Sequence, residues 1–254
     1  MNADQMQRQR FKLKYHIDET VAQRVRFAVG SRLELDPFSR EQPDWSYTIH
    51  SLYLDSPDLF LYHSTLNGER NRFKLRVRFY DGDSDDPVFL EIKRRVNECI
   101  LTERAIVSRE RLSSMMRELW PTPDDLVDPT GAQLDAARNF CRRIDQLRAV
   151  PISHVSYRRE AWFSPGQNAV RVTLDRDIVC EPRSTYSLST DLKNASDVFD
   201  PGEVILEIKF TERFPAWLAA VVWELGLVRT SAAKYVDGVT HANVENFVPA
   251  MYSR

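Results

Sequence analysis

The chain has 254 residues, 43% hydrophobic and 11% aromatic, which is ample for a packed core within one domain spanning residues 1–254. Lys and Arg number 35 against 37 Asp and Glu, and the formal net charge of -2 argues against nucleic-acid binding or a membrane coat by long-range charge; any anion site must be local. The three cysteines lack metal-ligand spacing, residues 1–10 read as an N-terminal tail without an apolar signal core, and the longest apolar run, 216–223, is too short to span a bilayer, so the expectation is a soluble cytoplasmic protein.

Residues 11–17 set Lys12, Lys14 and His16 against Phe11, Leu13, Tyr15 and Ile17, the alternation of a strand, and Asp18 then caps a helix to residue 29. Residues 45–54, aromatic and β-branched, read as a second strand. The clearest pattern is NRFKLRVRFYD at 71–81, where Arg72, Lys74, Arg76 and Arg78 alternate with Phe73, Leu75, Val77 and Phe79. Side chains two apart on a strand share a face ~7 Å from one another, so four cations form one row.

Residues 87–95 place Glu91, Lys93 and Arg95 opposite Leu90, Ile92 and Arg94. Segments 98–107, 152–163, 169–179 and 204–210 complete roughly eight strands, the last setting Glu207 and Lys209 against Leu206, Ile208 and Phe210. Helical patterns occupy 109–119, 132–147, 215–225 and 232–246, with Trp217 and Trp223 as helix-to-core anchors. A Pro-rich connector covers 121–129, and 181–202, polar and aperiodic, reads as a long loop, either a lid or disordered. His16 and His154 read as ordinary, partly exposed histidines, and Asp175, Arg176 and Asp177 as turn or ion-pair chemistry.

Strands follow strands more often than they alternate with helices, which predicts an α+β fold with an antiparallel sheet. If the polar rows share the inside of a closed eight-stranded β-barrel, helices must cover the apolar outside. A lumen holding Lys14, Arg76, Arg78, Lys93 and Lys209 with Glu91 and Glu207 suits a linear polyphosphate or nucleoside triphosphate. The two carboxylates are then candidate ligands for Mg²⁺ or Mn²⁺. For any single strand, a solvated outer face remains the plainer reading, and Glu207 with Lys209 is equally an exposed cross-strand pair.

In order along 11–239, SLYLDSPDLFLY, FKLRVRFYD, FLEIKRR, VSYRREAW, VRVTLDRDI, VILEIKF and AAKYVDGV resemble the VTC (vacuolar transporter chaperone) polyphosphate polymerase domain. That domain is one of the triphosphate tunnel metalloenzymes, which include CYTH proteins. The resemblance implies an eight-stranded tunnel in which Lys14, Arg76, Arg78, Lys93, Arg104, Arg159, Arg171 and Lys234 hold a triphosphate and Glu207 holds Mn²⁺ or Mg²⁺. It implies transfer of the γ-phosphate of ATP onto polyphosphate, with a triphosphatase or a non-catalytic polyphosphate-binding module as alternatives.

The CYTH signature ExExK is absent, since Arg10 and Lys12 stand where its glutamates would be. The family's Ser-Lys pair appears as Ala233-Lys234. The regulatory and membrane-anchoring segments of the fungal complex subunits are not seen, so coupling to translocation is not expected.

Overall fold

A computed structural model describes residues 10–81, 86–97, 99–166, 169–243 and 247. In chain order the elements are β1 (Arg10–Asp18), α1 (Glu19–Gly30), β2 (Glu34–Leu35), α2 (Pro37–Arg40), β3 (Tyr47–Asp55), α3 (Phe60–Leu66), β4 (Asn71–Tyr80), β5 (Val88–Val96) and β6 (Cys99–Val107). There follow α4 (Leu112–Glu118), α5 (Gly131–Leu147), β7 (Val150–Phe163), β8 (Val170–Pro182), β9 (Ser196–Asp197), β10 (Glu203–Thr211), α6 (Ala216–Glu224) and α7 (Lys234–His241). The fold is α+β.

Eight long strands form one antiparallel sheet in the order β1-β10-β8-β7-β3-β4-β5-β6, with β2 added to β7 and β9 to β8. Register places the polar rows on one face: Lys14 opposes Glu207, Lys209 opposes Arg171, Arg159 opposes Asp175, Arg76 opposes Glu91 and Glu91 opposes Arg104. The sheet curls about this face. Its other face is apolar and covered by helices, as the alternation requires.

α1 begins where Asp18 accepts a hydrogen bond from the Val21 N–H at 2.7 Å, and it buries Ala22, Val25 and Val29 against the outer residues of β1, β8 and β10. α4 and α5 cover β4, β5 and β6, with Phe140 and Ile144 of α5 against Leu75, Val77 and Ile92. A third cluster fills one end of the inner face, where Tyr235, Val236 and Val239 of α7 pack on Ile49, Val155 and Ile205. This apolar plug leaves the rest of the inner face to the charged residues.

The expected closed barrel is corrected: among the described residues β1 and β6 are not hydrogen-bonded to each other. They approach within 8 Å, Cα to Cα, and some of their backbone groups are paired with other segments. On β1 the Thr230 N–H donates to the Lys14 carbonyl at 2.9 Å and Tyr15 bridges Arg229. On β6 the Val127 N–H donates to the Ile106 carbonyl at 3.1 Å, and the Ile106 N–H donates to Gln133 Oε1 at 2.8 Å. At these positions each edge meets a loop or a side chain instead of the other strand.

Within segment 181–202 residues 183–195 carry no helix or strand, as expected of a long loop, while β8 runs on to Pro182, β9 pairs with it, and Val198 is fully buried. Trp223 is 87% exposed and anchors nothing, whereas Trp217 packs against the core. His154 is buried, its Nε2 3.0 Å from His50 Nδ1. The expected N-terminal tail and residues 98 and 244–246 of the expected strand and helix lie outside the described residues, except that Arg10 opens β1.

Candidate functional site

The curled face encloses a cavity of about 1460 Å³. Among the described residues, fifteen cationic side chains and four carboxylates border it. In a chain with net charge -2, this concentrates positive potential on a single concave surface. Of the sequence-predicted residues, Lys14, Arg76, Arg78, Lys93, Arg104, Arg159, Arg171, Lys209, Lys234 and Glu207 all border the cavity.

Glu91 does not. It is fully buried behind the wall, where Arg76 Nε donates to it at 2.5 Å and Arg104 Nε at 2.9 Å. Burial alone would raise its pKa, but Arg76, Lys93 and Arg104 hold it far below the usual carboxylate range. Its geometry is that of a fixed counter-ion that aims two arginines, which sets it apart from the metal ligand expected from the sequence.

A second buried carboxylate, Asp175, plays the same part on the opposite wall. Arg159 reaches it through two hydrogen bonds of 2.6 and 2.7 Å, and Lys234 Nζ donates to it at 2.7 Å. Burial opposes its ionisation, but Arg159 and Lys234 keep it ionised and well below its ordinary pKa. The Tyr157 ring lies beneath both cations, 4.7 Å from Lys234 Nζ and 5.2 Å from Arg159 Cζ. Ion-pair chemistry was expected of Asp175; its place beneath two site cations was not, because alternation tells which face a residue takes and not how deep it lies.

Arg78 is 8% exposed, its Nε has no hydrogen-bond partner, and among the described residues no carboxylate pairs with it. Lys74 and Lys93 face each other across β4 and β5. Burial lowers the pKa of Lys74 to about 7, helped by the charge of Lys14, and burial lowers that of Lys93 well below its ordinary value, helped by Arg76. Lys74 and Lys12 were legible in the same polar rows as Arg76 and Lys14.

Of the two carboxylates expected to hold a metal, Glu207 is the one that borders the cavity and could do so. Lys209 Nζ lies 2.7 Å away and Lys12 and Lys14 each 3.6 Å. Burial would raise its pKa, but Lys12, Lys209 and Lys14 hold it well below the ordinary value, so it is ionised. One carboxylate among three ammonium groups is a poor cage for a dication alone. The donor set fits a Mg²⁺ or Mn²⁺ ion that takes its remaining oxygens from a phosphate chain and water. Lys14 Nζ also donates to the Ala232 carbonyl, which ties β1 to the segment leading into α7.

A curled antiparallel sheet with a cation-lined lumen and helices outside defines a tunnel-type fold. The sequence matches the VTC domain over residues 9–243, and the chain belongs to that family. No curated protein matches it. The fold is similar to that of a "putative adenylate cyclase" (bh2851) from Bacillus halodurans, with 12% identity over 89% of this chain and 94% of that one and a TM-score of 0.50. The PH1819 protein from Pyrococcus horikoshii OT3 aligns with 92% of this chain and 98% of its own at 14% identity, TM-score 0.45. At 12% identity the likeness to the Bacillus halodurans protein concerns the fold alone. Among the described residues no helix is long and apolar enough to cross a membrane.

Proposed function

We propose that the cavity binds the triphosphate of ATP and that the protein transfers the γ-phosphoryl group to the end of a polyphosphate chain. The observation that carries this reading is the excess of bordering cations, with Arg78 lacking any described carboxylate partner. Neighbouring phosphate charges repel one another, and a ligand of that kind is bound best where guanidinium and ammonium groups approach from several walls. Membership of the VTC domain family supports the same substrate class.

Arg76 and Arg104, aimed by Glu91, and Arg159, aimed by Asp175, present forks that need not reorganise when phosphate arrives. A terminal phosphate oxygen of the acceptor attacks Pγ in line. The new P–O bond forms as the bond from Pγ to the bridging β–γ oxygen breaks, and ADP leaves with that electron pair. The attacking oxygen is already anionic, so no base has to remove a proton. The cationic walls offset the repulsion between two polyanions, which is the main obstacle to their approach. A divalent ion at Glu207, when bound, supplies further charge neutralisation on the phosphate oxygens.

The test is incubation of the purified protein with ATP and Mn²⁺, resolving products on a gel that separates phosphate polymers. Long chains accompanied by ADP are the expected result. Orthophosphate as the sole product would replace transfer with hydrolysis, and binding without turnover would leave a sensing module.

A further inference from the structure

One border of the cavity differs chemically from the rest. Phe38 of α2, Tyr47 at the start of β3 and Tyr80 at the end of β4 meet there, with ring centroids 6.1 Å apart for Phe38 and Tyr47, 6.4 Å for Phe38 and Tyr80, and 6.0 Å for Tyr47 and Tyr80. The Phe38 and Tyr80 planes are only 9° apart. All three rings border the cavity.

A core role does not account for Phe38. The residue is 67% exposed and belongs to none of the three buried clusters. Yet its backbone is firmly held, because Asp36 accepts from the Phe38 N–H at 3.1 Å, and fully buried Ser39 accepts from the Ala161 N–H at 3.1 Å. The fold therefore displays an exposed aromatic face in a fixed place. Next to it the cationic wall begins: Arg78 Cζ stands 5.1 Å from the Tyr80 ring centroid, and Asp36, which caps α2, also holds Arg171 at 2.9 Å.

An inorganic phosphate chain has no surface that gains from flat apolar rings. A purine joined through a sugar to a triphosphate has both halves of the complement, a π-face for the rings and anions for the arginines beyond them. We propose that Phe38, Tyr47 and Tyr80 form a base-binding platform that selects a purine nucleoside triphosphate over inorganic triphosphate and places its phosphates toward Arg78. This rests on the reading of the cavity as a triphosphate site and adds to it the element that recognises the nucleoside.

Calorimetric titration of the full chain with ATP and, separately, with tripolyphosphate, both with Mn²⁺, tests the platform. Phe38→Ala is expected to weaken ATP about tenfold, the scale of one lost base–aromatic contact, and to change tripolyphosphate less than about twofold on the same reasoning. Phe38→Trp should restore ATP binding, and Tyr80→Leu should repeat the Phe38→Ala result. Thermal denaturation of each variant verifies folding. If Phe38→Ala weakens both ligands equally, or neither, the platform is overturned while the triphosphate site stands. If the wild-type protein binds neither ligand, the triphosphate reading falls and the platform with it.

Discussion

Arg76 and Arg104, on strands either side of β5, converge on the one carboxylate of Glu91, which is fully buried and contributes nothing to the cavity surface. A charge so placed is tolerable only because it is paired, and removing one member of a buried pair costs about 3–5 kcal/mol. Glu91→Gln should therefore lower stability by about that amount and weaken triphosphate binding by freeing both guanidinium groups. Its Mn²⁺ requirement should stay as in the wild type. Glu207→Gln should instead raise the Mn²⁺ concentration for half-maximal turnover, and a similar rise in Glu91→Gln would restore Glu91 as a metal ligand.

Arg78 presents the opposite case. With no described carboxylate to leave unpaired, its truncation should cost little stability. Arg78→Ala is expected to reduce turnover by about 10²–10³-fold, the scale for one preorganised charge donor, with the urea midpoint nearly unchanged. The double variant of Arg76 and Arg78 should be inactive; an active one would contradict the phosphate-binding assignment.

The lysines make binding depend on pH. Burial lowers Lys14 to about 8 and Lys209 to about 7, in each case against the pull of Glu207, and Lys74 falls to about 7. These groups lose protons in the free protein as pH rises above about 7, so triphosphate affinity should fall toward pH 9. Near pH 7.5 binding should take up protons, seen as a calorimetric enthalpy that varies with buffer ionisation heat. Stability has the opposite sign. Folded pKa values below the ordinary 10.5 mean that the unfolded chain binds more protons between about 7 and 10.5, so the ligand-free protein should become more stable as pH rises through that window. A flat urea midpoint there would contradict these shifts.

His50 and His154 set an acid limit. Burial lowers both, His154 to about 3, and so favours the neutral imidazoles in the fold. The unfolded chain takes up protons as pH falls below 6.5, and stability should decline progressively from there. His154→Asn should flatten the decline between pH 6.5 and 5 in urea titrations.

Gly238 lies where α7 meets β8. A Cβ there would stand 2.8 Å from both Cβ and Sγ of Cys180, too close for a strand-borne atom to yield cheaply. Alanine gains about 1 kcal/mol of helix propensity over glycine, but overpacking costs about 1–3 kcal/mol. Gly238→Ala should thus lower the urea midpoint. It should also weaken triphosphate binding, because α7 carries Lys234 and Tyr235, whose hydroxyl donates to buried Asp55 at 2.6 Å.

The alternation of Lys14, Arg76, Lys93 and Glu207 with apolar neighbours determined, from sequence alone, which side chains share a face and that helices must cover the other, because a strand's two-residue period is a local property of the backbone. The short helices α2 and α3 carry too few turns for a period to show, so no local pattern marks Phe38. What only the tertiary structure decided are depth and closure. Glu91 and Glu207 have the same local pattern, yet one is sealed behind Arg76 and Arg104 and the other borders the cavity. Whether β1 meets β6 depends on the strand tilt and stagger of the whole sheet and on rival partners, here Thr230, Val127 and Gln133, brought from distant parts of the chain. No local pattern encodes those distances, because they are sums over every strand between them.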